Sequence, residues 1–246
     1  QDLRVVPAFA SGLDARPAIE KFFVRDGHAT VDVVVSLTGF SLVGGPAFND
    51  AKAAEEILAR LDVPYVAAQP LEFQSVGQWK ASSHGLSPIE STIMLAIPEL
   101  DGATGPIVFG GRDGGAEGIR GTPMVGIDER VNVLASRVSR LVELRRTSTF
   151  ERKVAIVLFN FPPNGGATGT AAYLSVFESL HRTLGAMAGE GYDVEVPATV
   201  DELRERVLAG NASRYGTDAN VVHRIPAEDH IRREPHLEAI ERQWGP

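Results

Sequence analysis

The stretch Val31-Asp32-Val33-Val34-Val35-Ser36-Leu37 is a β-branched, largely apolar run, and it predicts a strand buried on both faces of a parallel sheet. A loop with several glycines follows over residues 38–46. Residues 49–61 then carry apolar side chains at helical spacing behind Asn49 or Asp50 as the N-cap, and strand character resumes at residues 63–67. Because a strand, a helix and a strand in this order form a βαβ unit, the sequence predicts an α/β fold.

The second half of the chain repeats this order. Residues 154–159 form another apolar strand pattern, residues 160–170 a loop rich in proline and glycine, and residues 171–187 an amphipathic helix. A further strand pattern covers residues 192–196. We therefore expect an α/β protein of two Rossmann-like units, with mainly parallel sheets flanked by helices. The predicted division is a first unit, a connecting arginine-rich helix and a second unit with a helical tail, over residues 1–126, 127–150 and 151–246.

Composition excludes several classes of protein. The chain has 246 residues, 43% of them hydrophobic, and a formal net charge of −8, which argues against non-specific nucleic-acid binding. Because it has no cysteine, disulfides, thiolate metal sites and cysteine nucleophiles are excluded. The sequence shows neither an apolar run of about 18 residues nor a signal peptide, so no transmembrane segment and a cytoplasmic location are expected. The chain begins with Gln1 instead of methionine, which predicts a piece of a longer protein.

Two carboxylates, Glu99 and Asp101, occupy a segment that Pro98 and Gly102 interrupt. The helix before them starts with a capping box and a proline at its first position, over residues 87–90. Carboxylates beside the negative end of a helix dipole need a cation, a hydrogen bond or a metal as compensation. The pair is therefore a candidate for metal binding or proton transfer, and an ordinary acidic turn is the alternative.

Three further side chains are candidates for ligand binding. Arg112 follows a short strand pattern and a predicted turn on Gly110 and Gly111, and its guanidinium suits a carboxylate partner. Trp79 offers an aromatic surface, with packing in the core or in a lid as the alternative. His84 stands among serine and glycine in a loop, where a histidine is either a ligand and proton carrier or an inert surface residue.

Two longer features also leave alternatives open. The glycines of residues 39–46 indicate either a ligand loop at the carboxyl end of a strand or a turn that needs glycine. The helix predicted over residues 127–146 carries five arginines, which form either a solvated face or a surface that binds a partner.

Six blocks spread along the chain have a common resemblance. They are Gly39-Phe40-Ser41-Leu42-Val43-Gly44-Gly45-Pro46-Ala47, Asp62-Val63-Pro64-Tyr65, Pro98-Glu99-Leu100-Asp101-Gly102, Phe109-Gly110-Gly111-Arg112, Phe159-Asn160-Phe161-Pro162-Pro163-Asn164 and Thr170-Ala171-Ala172-Tyr173-Leu174-Ser175-Val176-Phe177-Glu178-Ser179-Leu180. These blocks resemble the large subunits of the metal chelatases of tetrapyrrole biosynthesis. The last block is more similar to the H subunits of magnesium chelatases than to their cobalt relatives. The resemblance covers nearly the whole chain and thins between residues 113 and 126.

The resemblance implies a metal-inserting ligase of chlorophyll or bacteriochlorophyll biosynthesis. Its large subunit binds protoporphyrin IX and receives Mg²⁺, while two smaller AAA+ subunits hydrolyse ATP. The chain itself lacks the lysine of a phosphate-binding P-loop, in keeping with that division of labour. Family H subunits are several times longer, so the chain alone is expected to be inactive. A location in the cytoplasm or at the surface of photosynthetic membranes is implied.

Under this resemblance the candidate residues acquire roles. Insertion requires removal of two pyrrole protons and dehydration of Mg²⁺, and carboxylates can serve as base and as transient ligand. Glu99 and Asp101 are therefore the predicted catalytic and metal-binding residues, with His84 and Glu90 as further candidates after them. Arg112, His84 and Trp79 are predicted to bind the porphyrin. Two other hypotheses stand beside this one: the large subunit of a cobaltochelatase acting on a corrin precursor, and a docking module for the AAA+ subunits without its own ligand.

Overall fold

The structure is a computed structural model of the chain. It describes residues 3–10, 12–45, 48–114, 121–159, 168–169, 171, 173–208 and 223–245. The chain packs as two compact units, Gln1–Ser148 and Thr149–Pro246.

The first unit alternates strands and helices. Its strands are β1 Val24–Arg25, β2 His28–Ala29, β3 Val34–Ser36, β4 Gly44–Gly45, β5 Phe48–Asn49, β6 Tyr65–Ser75, β7 Ile107–Arg112 and β8 Met124–Gly126. Its helices are α1 Arg16–Phe23, α2 Ala51–Leu61, α3 Val76–Ala81, α4 Pro88–Glu90, α5 Ile97–Leu100 and α6 Asp128–Arg146, with a π-helical segment, Ser91–Ala96, between α4 and α5.

One four-stranded sheet organises the first unit, in the order β3-β6-β7-β8. β3, β6 and β7 run parallel, and β8 closes the edge antiparallel to β7. Helices α2 and α4–α5 lie in the connections between the parallel strands, as a βαβ arrangement requires. The prediction of an α/β fold with a mainly parallel sheet flanked by helices is confirmed.

The core of this unit forms where α2 meets the sheet. Ile57 and Leu61 are each 1% exposed and pack with Val34 in one apolar cluster. Burying side chains of this size contributes about 1.5–3 kcal/mol each. α2 begins where the sequence predicts, because the side chain of Asp50 accepts a hydrogen bond from the backbone N–H of Ala53 at 3.0 Å.

Strand β6 is longer than its sequence pattern predicts. It continues past residue 67 through Gln69 and Pro70 to Ser75. A proline removes a ladder hydrogen bond and is tolerated at bulges. Here β3 pairs only with residues 65–67, and the pairing with β7 shifts register between Gln69 and Pro70. The missing N–H of Pro70 therefore falls where the ladder is already irregular.

The connection from β6 to β7 confirms the predicted capping box. The side chain of Ser87 accepts from the backbone N–H of Glu90, while the Glu90 side chain accepts from the backbone N–H of Ser87. The helix is not continuous, however, because the π-helical segment separates α4 from α5. This wider turn ends where Pro98, which has no N–H, enters the helix.

The turn predicted at Gly110 and Gly111 is wrong, since both glycines lie inside β7. A Cβ on Gly110 would collide with the carbonyl oxygen of Val125 in β8, and a Cβ on Gly111 would collide with Leu71 in β6. These glycines allow close approach of the neighbouring strands, and they do not reverse the chain.

The second unit is helical in its described part. A short 3₁₀ turn at Thr149–Glu151 precedes α7 Val176–Gly189, α8 Val200–Leu208, α9 Ala227–Arg233 and α10 Leu237–Trp244. Residues 154–159 and 192–196, predicted as strands, are not strands in the structure. A strand needs a continuous ladder of hydrogen bonds, and the described residues of this unit show isolated contacts instead, such as the bridge between Ala171 and Leu174 and the bond from the Gly169 N–H to the Phe159 carbonyl at 2.8 Å. Most of the predicted loop at residues 160–170 lies outside the described residues.

Candidate functional site

The predicted site residues fall into two groups at opposite ends of β6. Trp79, His84 and Arg112 lie where β6 and β7 end, because Arg112 is paired with Ser75, the last residue of β6. Asp101 lies near the start of β6, since Thr104 shortly after it donates a hydrogen bond to the carbonyl of Tyr65 at 2.9 Å. A strand of 11 residues spans on the order of 33 Å. The structure therefore places Arg112, Trp79 and His84 toward one end of the sheet and Asp101 toward the other.

Arg112 supplies a cation at the carboxyl end of β7. Its Nη1 donates to the carbonyl of Thr122 at 3.2 Å, and its Nη2 lies 3.5 Å from a carboxylate oxygen of Glu72. Both side chains of this ion pair are more than a third exposed, so the pair contributes less than about 1 kcal/mol. The guanidinium can therefore exchange Glu72 for an anionic ligand group at small cost.

Trp79 lies in α3, which continues directly from β6. Ser75 caps this helix in a second capping box, accepting from the backbone N–H of Gln78 at 3.1 Å while Gln78 accepts from the backbone N–H of Ser75 at 2.8 Å. The indole is half-buried. Phe73, two residues before Ser75, is 49% exposed. The carboxyl end of β6 thus presents aromatic surface on a well-anchored backbone.

His84 lies in the loop between α3 and α4 and is exposed. Its backbone N–H donates to Ser82 Oγ at 3.1 Å, and its Nδ1 lies 3.3 Å from Ser83 Oγ. Both partners lie within two residues of His84 in the chain, so the imidazole remains open to a ligand.

Asp101 is buried, with 1% of its surface exposed. Its Oδ2 accepts from Ser41 Oγ and from the backbone N–H of Leu42, both at 2.7 Å, while its Oδ1 has no hydrogen-bond partner. Burial raises the pKa of this carboxyl, and the hydrogen bonds from Ser41 and Leu42 oppose that rise in part. The carboxylate ties the end of α5 to the loop that follows β3.

Glu99, in contrast, is exposed on α5. The two carboxylates that the sequence places together therefore have different surroundings, and they do not form a common pair. Among the described residues, no group of three or more histidine, aspartate or glutamate side chains is placed to hold a metal ion. A Mg²⁺ site here would need further ligands.

Sequence reasoning missed two buried polar groups on β6. The hydroxyl of Tyr65 and the Oε1 of Gln69 are buried without a hydrogen-bond partner, and burial raises the pKa of Tyr65 to about 12. A polar residue inside the apolar run of residues 65–71 is the signal that would have pointed to Gln69.

The arginine-rich helix α6 turns most of its cations toward its own unit. Three arginines donate hydrogen bonds to the segments that precede the three parallel strands. Arg137 Nη1 donates to the carbonyl of Gly105, Arg145 Nη1 to the carbonyl of Asp62 at 2.6 Å, and Arg146 Nη2 to Asp32 Oδ2 at 2.7 Å. Arg130 pairs with its neighbour Glu129. These arginines hold the amino-terminal edge of the sheet, so the structure does not favour a docking function for them.

No helix among the described residues is both long and apolar enough to span a membrane.

Comparison with known proteins gives matches along the whole chain. A family model described as CobN/Magnesium Chelatase matches residues 1–246. The H subunit of the magnesium chelatase of Cereibacter sphaeroides is 51% identical over 257 residues, which cover 99% of this chain and 22% of that protein. The aerobic cobaltochelatase protein CobN of a Sinorhizobium species is 29% identical over 238 residues, covering 94% of this chain and 18% of that protein. The chain thus spans about a fifth of the length of these relatives.

A solved structure shares the fold. The catalytic subunit of cobaltochelatase from Mycobacterium tuberculosis superposes with a TM-score of 0.70 at 24% identity, over 95% of this chain and 20% of that chain. At this identity the likeness shows the fold alone.

Proposed function

We propose that this chain, which belongs to the CobN/magnesium chelatase family, forms part of the porphyrin-binding subunit of a magnesium chelatase. In this proposal the complete enzyme inserts Mg²⁺ into protoporphyrin IX on the route to chlorophyll or bacteriochlorophyll. The observation that carries it is the identity of 51% to the H subunit of a magnesium chelatase, against 29% to a cobaltochelatase CobN, over nearly the same residues.

The carboxyl ends of β6 and β7 have the chemistry for a flat, anionic macrocycle. Trp79 and Phe73 offer aromatic faces, and the Arg112 guanidinium matches the geometry of a propionate carboxylate. His84 projects from the adjoining loop and stays available for a polar contact. Ligands of open α/β sheets bind at this edge, which supports placing the macrocycle here.

Glu99 is the carboxylate we assign to proton removal and transient Mg²⁺ contact. It is exposed, and Mg²⁺ prefers oxygen ligands. Because Glu99 lies near the start of β6 and Arg112 lies at its end, this assignment and the placement of the macrocycle beside Arg112 are alternatives within the proposal. Asp101 would act beside it by holding the loop after β3, because its carboxylate is buried and already bonded to Ser41 and Leu42. The remaining Mg²⁺ ligands would come from other parts of the longer protein.

Energy for insertion would come from other subunits. The chain has no P-loop lysine, so we assign ATP hydrolysis to two smaller AAA+ subunits. We also propose that the complex works in the cytoplasm or at the surface of photosynthetic membranes.

Ligand titration of the full-length protein tests the proposed function. Quenching of tryptophan fluorescence should show tighter binding of protoporphyrin IX than of a corrin precursor. Addition of Mg²⁺, ATP and the two motor subunits should then produce Mg-protoporphyrin. Preference for the corrin, or for Co²⁺ in the insertion assay, would assign the protein to the cobalt branch.

Replacement of Glu99 tests its assignment in the same assay. Glu99→Gln should lower the rate of Mg²⁺ insertion by about 10²-fold or more, because a positioned acid–base group contributes on that scale. Protoporphyrin binding should change little. Glu56→Gln, on the exposed face of α2, is the matched control and should leave the rate unchanged. Equal rates for Glu99→Gln and wild type would remove Glu99 from the mechanism.

A further inference from the structure

Glu90 is a fully buried carboxylate for which the proposed chemistry has no role. Its side chain is 0% exposed, yet it accepts four hydrogen bonds. Its Oε1 accepts from the backbone N–H of Phe73 at 3.3 Å. Its Oε2 accepts from the backbone N–H of Ser87 at 3.0 Å, from Ser87 Oγ at 2.9 Å and from Gln74 Nε2. Every donor is neutral, and no described cation forms an ion pair with it.

These bonds exceed what a helix cap requires. Capping the helix needs only the reciprocal bonds between Glu90 and Ser87. The bonds to Phe73 and Gln74 reach the carboxyl-terminal residues of β6, which are 17 and 16 residues away in sequence. Because a buried carboxylate makes strong, charge-assisted hydrogen bonds, Glu90 fixes the end of β6 and the start of α4 to each other.

Gln74 extends this network to the loop that carries His84. Its Nε2 donates both to Glu90 and to the carbonyl of Gly85, the latter at 3.2 Å. Ser87, at the end of the same loop, is held by Glu90 directly. The backbone is therefore anchored immediately after His84, while the imidazole itself stays exposed.

We infer that Glu90 is a positioning residue for tetrapyrrole binding, acting through Gln74 and His84. The buried carboxylate orders residues 82–87 so that the His84 imidazole faces the edge where β6 and β7 end. This inference rests on the proposed function, and it adds to it the group that sets the geometry of one ligand contact.

Hydrogen–deuterium exchange on the full-length protein tests the anchoring step without any ligand. Gln74→Met removes the bond to Gly85 at similar side-chain size, and amides of residues 82–87 should then exchange about tenfold faster or more. Glu90→Leu, which removes the acceptor that these four donors share, should have a larger effect that also reaches Phe73. Glu90→Gln keeps one acceptor oxygen and should fall between Glu90→Leu and wild type. Glu56→Leu, an identical change on an exposed helix face, should leave the loop unaffected.

A double-mutant cycle tests the functional step. Gln74→Met should weaken the Kd for protoporphyrin IX about tenfold in the wild-type background but less than about twofold in the His84→Ala background, because both changes act through one contact. The Kd is measured on folded protein, so a general loss of stability would not produce this pattern.

Three results would overturn the inference. Unchanged exchange of residues 82–87 in both Gln74→Met and Glu90→Leu would show that the network does not order the loop. If Gln74→Met and His84→Ala raise the Kd for porphyrin by independent factors that multiply in the double mutant, Gln74 does not act through His84. That result would remove the positioning role and leave the proposed function intact. Failure of the wild-type protein to bind porphyrin would remove the proposed function and this inference together.

Discussion

At the scale of single residues, three buried polar groups of the first unit differ in how they are satisfied. Both oxygens of Glu90 accept hydrogen bonds from neutral donors, whereas Asp101 has one oxygen bonded and one without a partner. The hydroxyl of Tyr65 also lacks a partner. An unsatisfied buried group costs about 1–3 kcal/mol, so such groups are retained where structure or chemistry needs them.

The pH dependence of stability should reveal Asp101. Burial raises its pKa in the folded state, so the folded protein binds this proton more tightly than the unfolded chain does. Stability from this group should therefore fall as the pH rises from the ordinary aspartate value to the raised one. Asp101→Asn cannot ionise and should lack that slope, as measured by urea denaturation between about pH 4 and about pH 7. Parallel curves for the two proteins would show that Asp101 has an ordinary pKa.

At the scale of elements, the π-helical segment is packed against the loop after β3. Met94 is 0% exposed, and Gly39 lies against the end of its side chain. A Cβ on Gly39 would stand 2.6 Å from Met94 Cε and 3.0 Å from Pro70 Cδ. The widened helical turn, the bulged strand and the loop therefore meet at one point.

Gly39→Ala should destabilise the protein more than its backbone conformation alone explains. Gly39 has φ +70°, and an alanine there combines left-handed strain with overpacking, for a loss of about 2–4 kcal/mol. Gly27→Ala is the matched control at φ +79° with no neighbour within 4 Å, and it should cost about 1–2 kcal/mol. Chemical denaturation measures both, and equal losses would mean that Met94 moves aside freely.

Helix α6 acts on the sheet through its arginines. Arg137 donates to the carbonyl of Gly105, just before β7, whereas the structure describes no partner for the exposed Arg140. Arg137→Met should lower the free energy of unfolding by about 1–2 kcal/mol. Arg140→Met removes the same charge and should change stability by no more than about 0.5 kcal/mol. If both variants lose the same stability, the helix interacts through its charge and not through this bond.

At the scale of the whole molecule, the second unit leaves a strand-like segment uncovered. Val157 is 92% exposed and Phe159 67% exposed, within an apolar run that forms no strand in the structure. Large apolar side chains in such numbers mark a surface that another part of a protein covers. The relatives are about five times longer than this chain, so they have the material to cover it.

Hydrogen exchange should distinguish the chain from the longer protein at this segment. Amides of residues 154–158 should exchange within seconds in the 246-residue chain, since they form no strand ladder with the residues that the structure describes. In a full-length protein they should be protected by about 10²-fold or more, as paired strand amides are. The buried segment at residues 65–69 serves as an internal reference and should be protected in both. Fast exchange of residues 154–158 in both proteins would contradict this prediction.

The sequence by itself determined the local features of the fold. The cap at Asp50 and the capping box at Ser87 appear as predicted. The strand predicted over residues 31–37 appears at Val34–Ser36, but only Val34 is buried, because β3 lies at the edge of the sheet. Each of these features depends on contacts within a few residues or on the periodicity of apolar side chains. Local contacts and periodicity can both be recognised from residues that are close together in the sequence. The family resemblance, likewise spread over short blocks, led to the family that comparison shows.

Only the tertiary structure decided which candidates share a site. It separated Glu99 from Asp101 by exposing one and burying the other, and it joined Glu90 to Gln74 across 16 residues. It also turned Arg145 inward to a carbonyl 83 residues away. Burial and hydrogen bonding of a side chain depend on what packs against it, and those neighbours come from distant parts of the chain. The chemistry of the candidate residues was therefore predictable from the sequence, whereas their surroundings were not.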